Sequence, residues 1–321
     1  MKKVRYGILS TATIVPRFIE GIRESRAGEV VAIAGRQFEQ AQKMANELGI
    51  PRYYGSYQEL YQDDEIDIIY IANYNGGHYA CLKEALQAGR NILCEKPICM
   101  TKEQAEKVFT IAKEKGVFLM EAQKSVFLPA QQKARQLLDQ HELGEIQWVN
   151  IISCHTGAKR GEWFKKIANG GGILRGAGTY SLEFLLTAFQ QSLENYSGNF
   201  AIQPPVSDDG CVINLKMAPN IMVSILITKD IVTESRIEIY GTAGRLIIPN
   251  FWKTDRLSLE REGKEETMVF EMNSEFVFEI DHVNDCLQRG LLTSPVMTPA
   301  VSIEATTIID ELYRKNLGVT E

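Results

Sequence analysis

The feature that most constrains this chain is an alternation, over its first 122 residues, of short apolar runs with amphipathic stretches. Val4 to Leu9, Glu29 to Ala34, Ile66 to Ala72, Asn91 to Glu95 and Val117 to Ala122 are strand-length and largely apolar. Between them lie helical patterns. Phe38 to Leu48 is stopped by Gly49, with Pro51 just beyond. Thr101 to Lys115 opens on Thr101 and Gln104, which read as a capping box, and sets Ala105, Val108, Phe109 and Ala112 on one face. Runs without a polar face are buried strands, and strands alternating with helices make a parallel, doubly wound α/β sheet.

With 321 residues the chain exceeds what one core usually serves, so two domains are expected. From about Gln123 the rhythm changes. A helix from Pro129 to Gln140 leads into a strand, Ile146 to Ser153, then a loop with Gly170-Gly171-Gly172. Gly176-Ala177-Gly178-Thr179-Tyr180 follows and opens a helix to about Phe189. Six or seven strand-like runs fill Glu194 to Glu271, separated by turns such as Pro219-Asn220, Gly241 to Gly244 and Glu262-Gly263. Such spacing favours antiparallel pairing. Helices at Phe276 to Arg289 and Pro299 to Lys315 close the chain. The expected division is 1–122 for the doubly wound domain and 123–321 for an α+β domain, whose helix at about 299–315 could pack back on the first. That second domain would carry a large, mostly antiparallel, open-faced sheet, one face covered by helices and the other solvated or an oligomer interface.

The net charge is −6 and the basic residues are scattered, which disfavours a nucleic-acid surface. The apolar runs are too short to span a membrane, and the N-terminus enters a strand at once without a signal-peptide core. Cys81, Cys94, Cys99, Cys154, Cys211 and Cys286 form no C-x-x-C pair, so a reducing cytoplasm is the expected home. Neither Cys154 with His155 nor Asp281, His282 and Cys286 has the usual ligand spacing, and no metal is expected.

Open α/β sheets bind ligands just beyond the carboxyl ends of their strands. After the first strand the chain offers Gly7, then Ser10, Thr11, Ala12, Thr13 and Ile14, with Pro16 in the following helix. Small residues stand here where G-x-G-x-x-G would cradle a pyrophosphate against a helix N-terminus. At the second strand's end, where an acid would hold the ribose of NAD, stand Gly35 and Arg36. A guanidinium suits the 2′-phosphate of NADP, with a solvated surface arginine as the alternative. Asn73, Asn75 and His78 follow the third run, and Glu95, Lys96 and Pro97 end the fourth. Gln123 follows the fifth. In the second domain His155, Arg160 and Trp163 could reach a substrate, while Tyr180 could present its phenol to a ligand or simply pack. Lys159 and Arg160 would also suit an acidic substrate.

Taken together, these residues resemble the Gfo/Idh/MocA oxidoreductases, in particular the dihydrodiol and xylose dehydrogenase branch. The pieces that carry the resemblance are Gly7-Ile8-Leu9-Ser10-Thr11-Ala12, Asn75 with His78, Glu95-Lys96-Pro97, Phe118-Leu119-Met120-Glu121-Ala122 and Gly170-Gly171-Gly172-x-Leu174. The resemblance implies an N-terminal Rossmann domain, a C-terminal open-faced sheet domain, hydride transfer with NADP or NAD, and a homodimer or larger oligomer. Its substrate would be a small sugar, polyol or cyclic diol. The lysine of the family's E-K-P motif, which lies by the nicotinamide and assists proton transfer, falls on Lys96. The tyrosine proposed as acid/base in the dihydrodiol branch falls on Tyr180. The family usually has an aspartate four residues earlier, where this chain has Gly176, so a carboxylate that could bond substrate and orient Lys96 is missing. An alternative within the same fold is an NADP-binding sensor without turnover.

Overall fold

In the computed structural model, which describes residues 3–156 and 161–317, the apolar runs of the first third form one parallel sheet. Its strands are β1 (Val4–Leu9), β2 (Gly28–Ala34), β3 (Arg52–Tyr54), β4 (Ile68–Ile71), β5 (Ile92–Glu95) and β6 (Leu119–Ala122), in the order β3-β2-β1-β4-β5-β6. The helices between them are α1 (Val15–Glu24), α2 (Phe38–Leu48), α3 (Tyr57–Gln62), α4 (His78–Gln87) and α5 (Lys102–Lys115). Strand order reverses between β1 and β4, and a ligand crevice opens at the carboxyl side of such a reversal. The expected alternation is present. β3 and α3 lie outside it: Arg52–Tyr54 is half-buried rather than apolar, and six residues are too few to display a helical period. Ser56 and Glu59 cap α3 reciprocally, which a short helix needs because its own turns add little.

From Ser125 on, α6 (Pro129–Asp139) precedes β7 (Ile146–Cys154), and α7 (Thr179–Phe189) precedes β8 (Leu193–Ala201), β9 (Gly210–Met217) and β10 (Ile221–Thr228). There follow β11 (Arg236–Gly241), β12 (Arg245–Pro249), β13 (Arg256–Arg261) and β14 (Lys264–Val269). All join one eight-stranded sheet, β14-β13-β12-β11-β7-β10-β9-β8, antiparallel except where β7 meets β10. The alternation along β10 fixes the two faces. Val223, Ile225 and Ile227 are buried, while Met222 is 63% exposed.

The last helices are α8 (Val277–Gln288) and α9 (Pro299–Leu317). Two compact units result. The first is the chain up to Lys124 together with Ser274–Ile303; the second is Ser125–Asn273 with the chain from Glu304 on. This differs from the expected boundaries chiefly in α8, which belongs to the first unit. The reason is packing: at Gly21 of α1 a Cβ would lie 2.7 Å from Phe276 Cβ, and Tyr6 of β1 donates to Asn284 of α8 at 2.8 Å. Phe18 of α1 stacks on Tyr70 of β4 with centroids 3.5 Å apart and meets Phe276 edge-on, completing an aromatic core under the β1–α1 turn. Among the described residues no helix is long and apolar enough to cross a membrane.

Candidate active site

β1 ends at Leu9, and the turn from Ser10 into α1 is laced to both neighbours of β1. Ser10 adopts φ 103°, a backbone conformation that glycine tolerates and serine rarely takes. Its amide donates to Ala34 O at the end of β2 at 2.9 Å. Its Oγ donates to Ala72 O beyond β4 at 2.9 Å and accepts from Ala12 N at 3.2 Å. Holding a non-glycine residue there costs on the order of 1–3 kcal/mol, which the two Oγ bonds help to offset. α1 begins at Val15 with Pro16 in its first turn, no side-chain cap and no acid in that turn. The uncapped amides of such a helix start suit an anion. Gly7 stands within β1, where a Cβ would lie 2.6 Å from Ile66 Cδ1, so its glycine serves packing beneath the turn. Gly35 is buried beside the turn, a Cβ there falling 3.3 Å from Thr11 Cγ2, and Arg36 follows it, exposed.

At the end of β4, Asn73 donates through Nδ2 to Cys81 Sγ at 3.3 Å, while its buried Oδ1 has no partner among the described residues. Asn75 is buried, and His78 completely so. The ring nitrogens of His78 lie 2.8 Å from Pro97 O and 3.1 Å from Asn73 O. Burial lowers its pKa, so the ring is neutral near pH 7 and can donate to only one of those carbonyls. His78 therefore braces the loop after β4 against the loop after β5.

β5 delivers Glu95 and Lys96 to the same edge, and the Lys96–Pro97 peptide is cis. Glu95 Oε1 accepts from Tyr70 OH at 2.6 Å, and its Oε2 accepts from the Lys96 amide at 3.3 Å. Burial, then the Glu95 charge, push the Tyr70 phenol well above its usual range, which keeps it a donor. β5 pairs with β6 so that Glu95 faces Ala122, and Gln123 follows, fully buried. The first unit thus brings Ser10, Thr11, Gly35, Asn73, Glu95, Lys96 and Gln123 to the carboxyl edge of one sheet.

In the second unit, His155 follows β7, its Nε2 2.8 Å from Ser153 Oγ and its ring 4.5 Å from that of Trp252. Trp163 sits in a short 3-10 turn, Glu162–Lys165, edge-on to Phe164. Arg160 and Lys159 lie outside the described residues. The glycine run leads into a π turn, Leu174–Gly178, that contains Gly176 and passes directly into α7. Tyr180 is the second residue of α7, half-buried, its ring 6.4 Å from Trp252. A phenol and an imidazole therefore flank one indole. Trp252 was not among the expected site residues. Its only signal is a large apolar ring in the turn after β12, where solvated residues are the rule.

Residues 4–123 match the Gfo/Idh/MocA oxidoreductase family, NAD-binding Rossmann fold, and residues 131–247 match that family's C-terminal domain. The chain is also 31% identical to a trans-1,2-dihydrobenzene-1,2-diol dehydrogenase of Xenopus laevis, covering 98% of each protein. The chain belongs to the Gfo/Idh/MocA oxidoreductase family. A bovine (Bos taurus) protein of the same description is 30% identical, over 99% of this chain and 98% of its own length. Two solved structures share the fold. An aldose-aldose oxidoreductase from Caulobacter crescentus, complexed with glycerol, aligns with TM-score 0.90 at 20% identity over 99% of both chains. A 3-ketoreductase from Actinomadura kijaniata, in complex with NADP and TDP-benzene, aligns with TM-score 0.88 at 22% identity over 97% of both.

As in other Gfo/Idh/MocA members, the first unit is an NAD(P)-binding Rossmann domain and the chain is a nicotinamide-dependent oxidoreductase. The residues present fit a dinucleotide: an uncapped helix start, a glycine against Thr11, and a buried amide oxygen at Asn73 awaiting a donor. The relatives at 30–31% identity are named dehydrogenases, which supports turnover over a sensor.

Proposed function

We propose that this enzyme oxidises a small cyclic diol, polyol or sugar at a carbinol carbon, or reduces the matching carbonyl, with NADP preferred to NAD. The observation that carries the substrate reading is the grouping of Tyr180 with Trp252 and His155. A ring can stack on the indole while its hydroxyl bonds the phenol, and aromatic surface beside a polar tip suits a ring-shaped alcohol. Relatives named for a dihydrobenzene diol support the cyclic diol within that class.

When bound, the nicotinamide supplies the hydride acceptor or donor. Tyr180, as its phenolate, takes the hydroxyl proton as hydride leaves the carbon. The reverse assignment, with Lys96 as proton carrier and Tyr180 orienting the substrate, is separated by comparing Tyr180→Phe with Lys96→Met. Glu95, held by Tyr70, fixes the strand end that carries Lys96. Asn73, Asn75 and Gln123 would hold the nicotinamide end of the dinucleotide, and Arg36 would receive the 2′-phosphate. Gly176 leaves the usual aspartate position empty of a carboxylate, so the substrate's second hydroxyl falls to His155 or Trp163. The working form is a homodimer through the open face of the second unit's sheet, where Met222 and Val212 are exposed, in a reducing cytoplasm that keeps its six cysteines as thiols.

A panel of diols, polyols and aldoses assayed with NADP and with NAD tests this reading. The expected result is nicotinamide reduction fastest with a cyclic vicinal diol and NADP. Tight NADP binding with no turnover on any alcohol or carbonyl would sink it.

A further inference from the structure

The segment that presents Tyr180 is gripped from one side by two buried residues distant in sequence. Gly172 has φ 116°, and its missing Cβ would lie 2.0 Å from Asp208 Oδ1 and 2.2 Å from Tyr313 Oη. Asp208 is fully buried. Its Oδ2 accepts from the amide of Leu174, first residue of the π turn, at 3.0 Å, and its backbone carbonyl accepts from Ile173 at 3.1 Å. Its Oδ1 accepts from the Tyr313 hydroxyl. The guanidinium of Arg175, within the π turn, lies 3.9 Å from the centre of the Tyr313 ring and donates to Ile167 O at 3.1 Å. Gly172, Leu174 and Arg175 are thus held by one aspartate–tyrosine pair drawn from the loop before β9 and from α9.

A π turn is a rare geometry that recurs at functional sites. It also sets the phase of whatever follows: one residue more or less in a helical turn re-aims the next side chains by about 100°. Gly178 caps α7 without a side chain, and Tyr180 comes two residues later. We infer that Asp208 and Tyr313 are positioning residues for catalysis, holding the π turn in the phase that aims the Tyr180 phenol at its substrate. This rests on Tyr180 being the proton carrier.

Tyr313→Phe is the informative variant, since it keeps the ring under Arg175 and against Phe200 and removes only the hydroxyl. The expected result is a fall in kcat of roughly 10- to 100-fold, as for a misplaced reacting group, with KM for the diol and Kd for NADPH within about twofold of wild type. In a Tyr180→Phe background the same substitution should change kcat by less than about twofold, because the pair acts through that phenol. Asp208→Asn leaves one side-chain oxygen for the two donors, the Leu174 amide and the Tyr313 hydroxyl, and should lower kcat in the same direction as Tyr313→Phe. Backbone hydrogen exchange over residues 172–180 should quicken in Tyr313→Phe. Unchanged kcat in Tyr313→Phe, or an equal loss with and without the Tyr180 hydroxyl, overturns the inference. If Tyr180→Phe itself turns over normally, the proton-carrier reading has failed separately. Exchange then decides whether the pair holds the turn, and unchanged exchange says it does not.

Discussion

The turn after β1 and the turn before α7 each hold a residue in a glycine-favoured conformation, Ser10 at φ 103° and Gly172 at φ 116°, yet only the second has to be glycine. At Ser10 the side chain reaches a carbonyl, Ala72 O, and the hydroxyl adds a bond. At Gly172 the space beyond the Cα is filled by a carboxylate and a phenol. A glycine motif can therefore lose its glycine where the side chain finds an acceptor, and cannot where a buried anchor already occupies its volume. The surroundings differ too. The first turn's helix carries Arg17, which bridges to Glu275, and Glu275 also pairs with the buried Lys124 at 3.0 Å. The second turn leans on a buried aspartate held by a neutral phenol.

Gly172→Ala is the harshest challenge to this contrast. A Cβ at 2.0 Å from Asp208 Oδ1, at positive φ, should destabilise the second unit by at least about 3 kcal/mol. Ser10→Ala, which loses the two Oγ bonds, should cost only about 1 kcal/mol. Chemical unfolding of both variants compares them, and equal costs would erase the distinction.

The ionic support of the first turn should respond to pH. Burial lowers the Lys124 pKa to about 8 from 10.5. Below about pH 8 the lysine is charged folded and unfolded, and the full desolvation cost is present. Between those values the unfolded chain binds more protons, so stability rises with pH; above them both states are neutral. Relative to Lys124→Met, the wild type should gain about 2 kcal/mol between pH 7 and pH 10. A difference that is flat with pH would mean that the ammonium is not desolvated.

Arg36 sharpens the comparison at the ligand. Arg36→Ala should weaken NADPH binding roughly 10- to 100-fold, as expected for lost charge-assisted bonds, and leave NADH within about twofold. Titration of intrinsic fluorescence with each nucleotide measures both, and equal losses would refute the 2′-phosphate role. The smallest effect belongs to Ser10→Gly, where relief of strain and loss of the hydroxyl bonds should cancel to within about 1 kcal/mol.

The first sheet was legible because its central strands are buried on both faces, so the apolar runs marked them directly. β3 and α3 escaped because three half-buried residues and a six-residue helix carry no period. Helix α8 was legible as a helix, but not as part of the first unit, since its pattern says which face is apolar and not what covers it. The strand-end positions Ser10, Gly35, Asn73, Glu95, Lys96 and Gln123 follow from the alternation alone. His78 shared their signal, and only its two carbonyl contacts reveal a brace. Trp252 joins Tyr180 by tertiary packing, and Asp208 meets Tyr313 across 105 residues. A single sequence has no local signal for either.

The central claim is a division of labour, with the dinucleotide held by the first unit and the proton moved by Tyr180 of the second. Measuring NADPH affinity and diol turnover on the same preparations of wild type and Tyr180→Phe tests it most directly. The account predicts an unchanged Kd with kcat lowered by about 100-fold or more. Undiminished turnover in Tyr180→Phe, or a loss of NADPH binding that accounts for the whole effect, would contradict it.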